Sequence, residues 1–155
     1  MIKKLKAFLL KVAVEGYASG KFKDWTKEKD GSTTISKEDG DWEMHDNFFG
    51  GEPYGGRELV SYKNKPYWIM VYYGQVLKVM NPEEIYPFLR EALSIPDEDM
   101  PIRGPLYLKN KDFTYKFSYD GTLDQFVANE TISIGDQVVY EATFVGGLVD
   151  QRKGD

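Results

Sequence analysis

Apolar side chains recur at Ile2, Leu5, Leu9 and Val12, and Phe8 and Ala13 widen the stripe. That is the period of a helix with one buried face, predicted over residues 2–15 and ended by Gly16. Residues 18–31 are polar apart from Phe22 and Trp25 and read as a surface loop that these two aromatics pin. The period then shortens to two, predicting strands over 32–36, 41–46, 57–62 and 66–73, with turns at KEDG and at Lys63-Asn64-Lys65. Asn81-Pro82-Glu83-Glu84 supplies an N-cap, a first-turn proline and two acids, so a second helix is expected to about Leu93. Interior Pro87 suggests that its regular part starts near Tyr86. Residues 95–105 hold three prolines and read as a connection. Strands are then predicted over 106–108, 113–117, 129–134 and 138–145, and 151–155 as a frayed tail.

The two halves of this pattern are related. Residues 40–77 recur, degraded, as 111–149. Asp41 and Gly50 lie 71 residues before Asp112 and Gly121, while Glu58, Ser61 and Gly74 lie 72 before Glu130, Ser133 and Gly146. The slip falls in a loop, where insertions are tolerated. The expectation is one α+β domain over 1–155, made of two repeats (about 2–77 and 82–149), each a helix plus a four-stranded antiparallel unit. One curved eight-stranded sheet, or sheets wrapped towards a barrel, with both helices on one face would bury both helical stripes.

Strand side chains alternate, so the alignment sorts them by face. Trp42, Met44, Trp68, Met70 and Tyr72 match Phe113, Tyr115, Tyr140, Ala142 and Phe144, and should point inward. Val60 and Tyr62 match Ile132 and Ile134 on the same parity, which turns Glu58 and Glu130 inward as well. Asp46 is inward where the second copy has Phe117. A buried acid must be hydrogen-bonded, paired or beside a water-filled cavity. Asp46, Glu58 and Glu130, with Tyr62, Arg57 and the loop over 47–56 carrying Phe49 and Tyr54, form the candidate ligand-binding site. Such a group would bind a cationic or hydroxyl-rich molecule, or perform acid/base chemistry. Acids at strand ends also serve as plain acceptors for tyrosine hydroxyls and loop amides.

Composition narrows the chemistry. The 155 residues include no cysteine and one histidine, so disulfides and thiolate metal sites are excluded and zinc would have a poor ligand set. No cofactor is expected. A net charge of −5 argues against direct nucleic-acid binding, and the lysines at 3, 4, 6 and 11 read as one solvated helix face. Lys6 and Lys11 interrupt the apolar N-terminal run too often for a signal peptide or a membrane span, so a soluble, cytoplasmic protein is expected. His45, by parity with Lys116, faces outward, with no serine or cysteine nucleophile in a recognisable setting. FFGGEPYGG lacks the G-K-[ST] of a phosphate loop and does not lead from a strand into a helix.

The string GDWEMHDNFFGGEPYGGRELVSYKNKPYWIMVYYGQVL, followed by YPFLREAL, RGP and FVGGLV, resembles a bacterial family of domains of unknown function. Its members occur alone or attached to XRE-type helix-turn-helix regulators. The resemblance covers about residues 5–149 and implies no catalytic residue. It implies a link to transcriptional regulation through a separate partner, since the chain starts at the domain's first helix. The reading from sequence is therefore a non-enzymatic domain that binds a small-molecule ligand or a protein partner. The alternatives are a small hydrolase or isomerase using Asp46 and Glu58, and an interaction module that forms a homodimer through an edge strand or exposed aromatics.

Overall fold

In a computed structural model the chain is described over residues 1–17 and 25–152. Phe22 and the last three residues of the expected tail lie outside them. Two helices, α1 (Ile2–Val12) and α2 (Pro82–Leu93), pack on one antiparallel sheet. Its strands are β1 (Trp25–Lys27), β2 (Thr33–Asp39), β3 (Trp42–Phe49), β4 (Tyr54–Tyr62), β5 (Lys65–Val76), β6 (Tyr107–Asn110), β7 (Phe113–Thr122), β8 (Gln125–Ile134) and β9 (Gln137–Leu148). Their order is β1-β2-β3-β4-β5-β9-β8-β7-β6, so β1 and β6 are free edges and the sheet is open, not a barrel. Among the described residues it has nine strands where eight were expected. The additional one, β1, lies within the polar segment read as a loop; its three residues are all exposed, so no alternation betrays it.

Other departures have local causes. Alpha1 does not stop at Gly16 but widens into a π-helical turn, Ala13–Tyr17, in which Ala13 and Gly16 are both buried. Alpha2 is continuous through Pro87, whose ring stands on the exposed face and withholds a bond only from the solvent-exposed first turn. Asn81 caps that helix through Oδ1, which accepts from the Glu83 amide at 3.1 Å. The glycine-rich loop shrinks to residues 50–53, because β3 and β4 pair through Phe48↔Gly56 and Phe49↔Gly55. A side chain at 56 would meet the Asn47 carbonyl oxygen at 2.4 Å, so the pairing requires glycine there. The β7–β8 hairpin is likewise longer than predicted, reaching Thr122 and Gln125.

The core lies between the helices and one face of the sheet. Leu5, Phe8, Leu9 and Val12 of α1 and Ile85, Phe88, Leu89 and Ala92 of α2 are all buried. Phe8 stacks on Trp42 (5.8 Å between centroids) and Phe88 on Phe113 (5.3 Å). Trp68 stacks on Phe126 and donates its indole N–H to the Leu123 carbonyl at 3.0 Å. Of the inward set read from strand parity, Met44, Val60, Tyr115, Ile132 and Tyr140 are fully buried, whereas Tyr62, Tyr72, Phe113 and Ile134 are part-buried. Among the described residues no helix is long and apolar enough to cross a membrane.

Candidate functional site

Above the middle of the sheet, between α2, the π-helical turn and the 50–53 loop, lies a cavity of about 530 Å³. Asp46 of β3 and Glu58 of β4 form part of its floor. They are direct cross-strand partners on the same face, 4% and 5% exposed. Met70 and Tyr72 of β5 and Phe144 of β9 continue the floor, and Leu89, Arg90 and Leu93 of α2 with Ile102 and Arg103 supply a wall. The remaining side is closed by Phe48, Gly50, Gly51 and Tyr54, together with Gly16, Trp25, Lys27 and Ile35.

The polar groups are ordered by specific bonds. The Tyr72 hydroxyl donates to Asp46 Oδ1 at 2.6 Å. Burial, reinforced by the charge of Asp46, pushes that phenol far above its usual range. Glu130 sits one layer away, with no exposed surface. Arg103 donates to it through Nε (2.9 Å) and Nη2 (2.7 Å), and Tyr115 (2.6 Å) and Tyr140 (2.9 Å) donate their hydroxyls. Tyr115 also accepts from the Gly104 amide at 3.0 Å, so two successive residues of the connection after α2 are docked on one carboxylate cluster. Tyr54 links this cluster to the cavity, its hydroxyl 2.5 Å from that of Tyr140. The Glu52 carboxylate accepts from the Val76 amide at 2.5 Å and from the hydroxyl of Tyr86, a lining residue, which ties the 50–53 loop to β5 and α2.

The residues singled out in the sequence do not all meet. Asp46, Glu58 and Tyr54 line the cavity. Glu130 reaches it only through Arg103 and the tyrosines. Arg57 is exposed on the opposite face, as its odd parity beside Glu58 requires. Tyr62 shares the inward face but stands four residues along β4, about 13 Å away. It packs there on Trp42 (4.8 Å) beneath Lys63. Phe49 is half exposed at the end of β3. His45 alternates with buried Met44 and Asp46 and is only part-buried. Arg103 was not singled out, since it lies in a proline-rich stretch without periodicity. Tyr72 was read only as an inward residue.

The cavity floor and the Arg103 cluster both fall within residues 46–149, which match the model of DUF5680, a domain of unknown function. That span is more than half of the chain. The chain belongs to the DUF5680 family. The matched DUF5680 region begins at Asp46, so Gly16, Trp25, Lys27 and Ile35 border the cavity from outside it. A search of curated proteins and a search of solved structures each returned no match.

Proposed function

We propose that this DUF5680 domain binds a small organic molecule in the cavity above Asp46 and Glu58, and that the bound molecule presents an amine or hydroxyl to these carboxylates. The observation that carries the reading is the juxtaposition itself: two neighbouring carboxylates on the floor of a 530 Å³ cavity whose other walls are largely aromatic and aliphatic. Ligand sites are commonly concave and apolar, of about 300–1,000 Å³, with a few converging polar groups. The family resemblance adds a context, a cytoplasmic effector-sensing domain working beside XRE-type regulators of bacteria.

A thermal-shift screen of amines, polyols and nucleosides tests the proposal. A ligand at about a hundred times its Kd adds about 2.7 kcal/mol, a rise of about 5–10 °C for a chain of this size. The rise should vanish in Asp46→Asn, which keeps an acceptor for Tyr72 while removing the charge. Melting that depends on protein concentration without any hit would favour the homodimeric interaction module. Turnover lost in Glu58→Gln would favour acid/base catalysis.

We also read the chain as a duplicated helix-plus-four-strand unit. Tyr72 pairs directly with Phe144, the residue 72 positions later, and Met70↔Gly146 and Gly74↔Ala142 exchange equivalents about it, as a two-fold axis through that pair would require. Register shifts recur at Val60/Ser61 and Ile132/Ser133. Positive φ recurs at Gly40 and Lys111 and at Gly50 and Gly121.

A further inference from the structure

We propose that Arg103 reads a hydrogen-bond acceptor, a carboxylate or carbonyl oxygen, on the same molecule whose donor group meets Asp46 and Glu58, so that the ligand is a ring system with a donor at one end and an acceptor at the other. This deepens the cavity reading above and rests on it.

The argument begins with unequal satisfaction inside the Arg103–Glu130 cluster. Glu130 receives four donors, two from Arg103 and one each from Tyr115 and Tyr140, which fills the roughly four lone-pair sites of a carboxylate. The guanidinium has five N–H groups, and its bonds to Glu130 use only Nε and Nη2. Nη1 donates to no described residue. Among the described residues no buried polar side-chain atom lacks a partner, so Nη1 belongs to the accessible part of a side chain that is 13% exposed. Arg103 lines the cavity, and that is where its remaining N–H groups can be used.

The donor is pre-organised. Glu130 grips the fork on one edge, and the guanidinium carbon stands 5.0 Å from the Phe144 ring centre, which fixes its plane. Burial opposes the charge, but Glu130 holds Arg103 protonated well above its ordinary range. Because Glu130 already neutralises it, Arg103 offers direction more than net attraction, which suits a single acceptor atom. A ring in the ligand matches the aromatic lining: Phe144 and Tyr72 have ring centres 6.2 Å apart and Tyr72 and Tyr54 6.0 Å apart, three mutually tilted rings bordering the same cavity as the polar groups. Both ends, Asp46 with Glu58 and Arg103, border the same cavity, so one small molecule can span them.

Isothermal titration of the full chain with benzylamine, benzoate and 4-(aminomethyl)benzoate tests the inference. The bifunctional probe should bind at least about tenfold more tightly than benzylamine, the worth of one charge-assisted hydrogen bond. In Arg103→Lys, which can still pair with Glu130 but offers no second nitrogen, that gain should disappear, leaving the bifunctional probe and benzylamine within about twofold of each other. If Arg103→Lys fails to fold, Arg103→Met/Glu130→Gln removes the pair together and carries the same expectation. Equal affinity of benzylamine and the bifunctional probe in the wild type, or a gain that survives the substitution, overturns the Arg103 assignment and leaves the cavity reading standing. No binding by any probe overturns both.

Discussion

Replacing Arg103 by methionine tests whether the buried pair fastens the connection after α2 to the sheet. The substitution keeps most of the apolar stem and removes the cation bonded to Glu130, which has no exposed surface. Breaking a buried pair from one side costs about 3–5 kcal/mol, because the remaining charge is left in a medium that solvates it poorly. Two phenol bonds persist, from Tyr115 and Tyr140, which places the expectation at the lower end, about 3 kcal/mol. At about 2–4 °C per kcal/mol for a domain of this length, Tm should fall by about 6–12 °C. The companion Arg103→Met/Glu130→Gln removes both charges and leaves an amide oxygen for the phenols, so it should recover to within about 1 kcal/mol of wild type. Urea unfolding followed by circular dichroism at neutral pH measures both variants, and the double should be more stable than the single by about 2 kcal/mol. A single variant that melts like wild type, or a double variant no better than the single, would refute the claim that charge pairing holds this segment.

Two further outcomes follow from the same packing. Burial raises the phenols of Tyr54, Tyr72, Tyr115 and Tyr140 above their ordinary value near 10. Below pH 10 both folded and unfolded chains keep these protons and stability is flat; above it only the unfolded chain loses them, and stability falls by about 1.4 kcal/mol per pH unit for each phenol, about 5 for the four. Alkaline titration by phenolate absorbance should therefore show these tyrosines ionising together with unfolding, and gradual ionisation of all eleven near pH 10 in an intact fold would contradict it. Gly56→Ala should cost about 2 kcal/mol or more, because the new methyl would sit 2.4 Å from the Asn47 carbonyl oxygen and 2.6 Å from Phe48 Cβ. Gly51→Ala, with nothing within 4 Å, should stay within about 0.5 kcal/mol, and equal effects in chemical denaturation would disprove the steric account.

The helical stripes and strand alternation were legible because each reports on one buried face. Leu5, Phe8, Leu9 and Val12, and Ile85, Phe88, Leu89 and Ala92, are inside for the reason the period of 3.6 suggests. What escaped was whatever has no burial contrast. Beta1 is exposed at every residue, and the loop over 47–56 was drawn too long because glycines within a strand look like glycines in a turn. There they exist because the neighbouring strand's backbone occupies the side-chain space.

The site divides along the same line. Asp46, Glu58 and Glu130 could be found because an acid on an apolar parity is a contradiction visible in sequence, and all three are buried. Parity says nothing about what resolves the contradiction, and the resolutions differ: Tyr72 bonds Asp46 from across the sheet, whereas Glu130 takes Arg103 from an aperiodic connection 27 residues earlier. The only sequence trace of that arginine was the RGP string within the family resemblance. A buried acid in a strand therefore implies that some donor must reach it from elsewhere, and here a long connection held by one carboxylate cluster is where that donor came from. That dependence is why the connection, although it has no regular structure of its own, forms a fixed wall of the cavity.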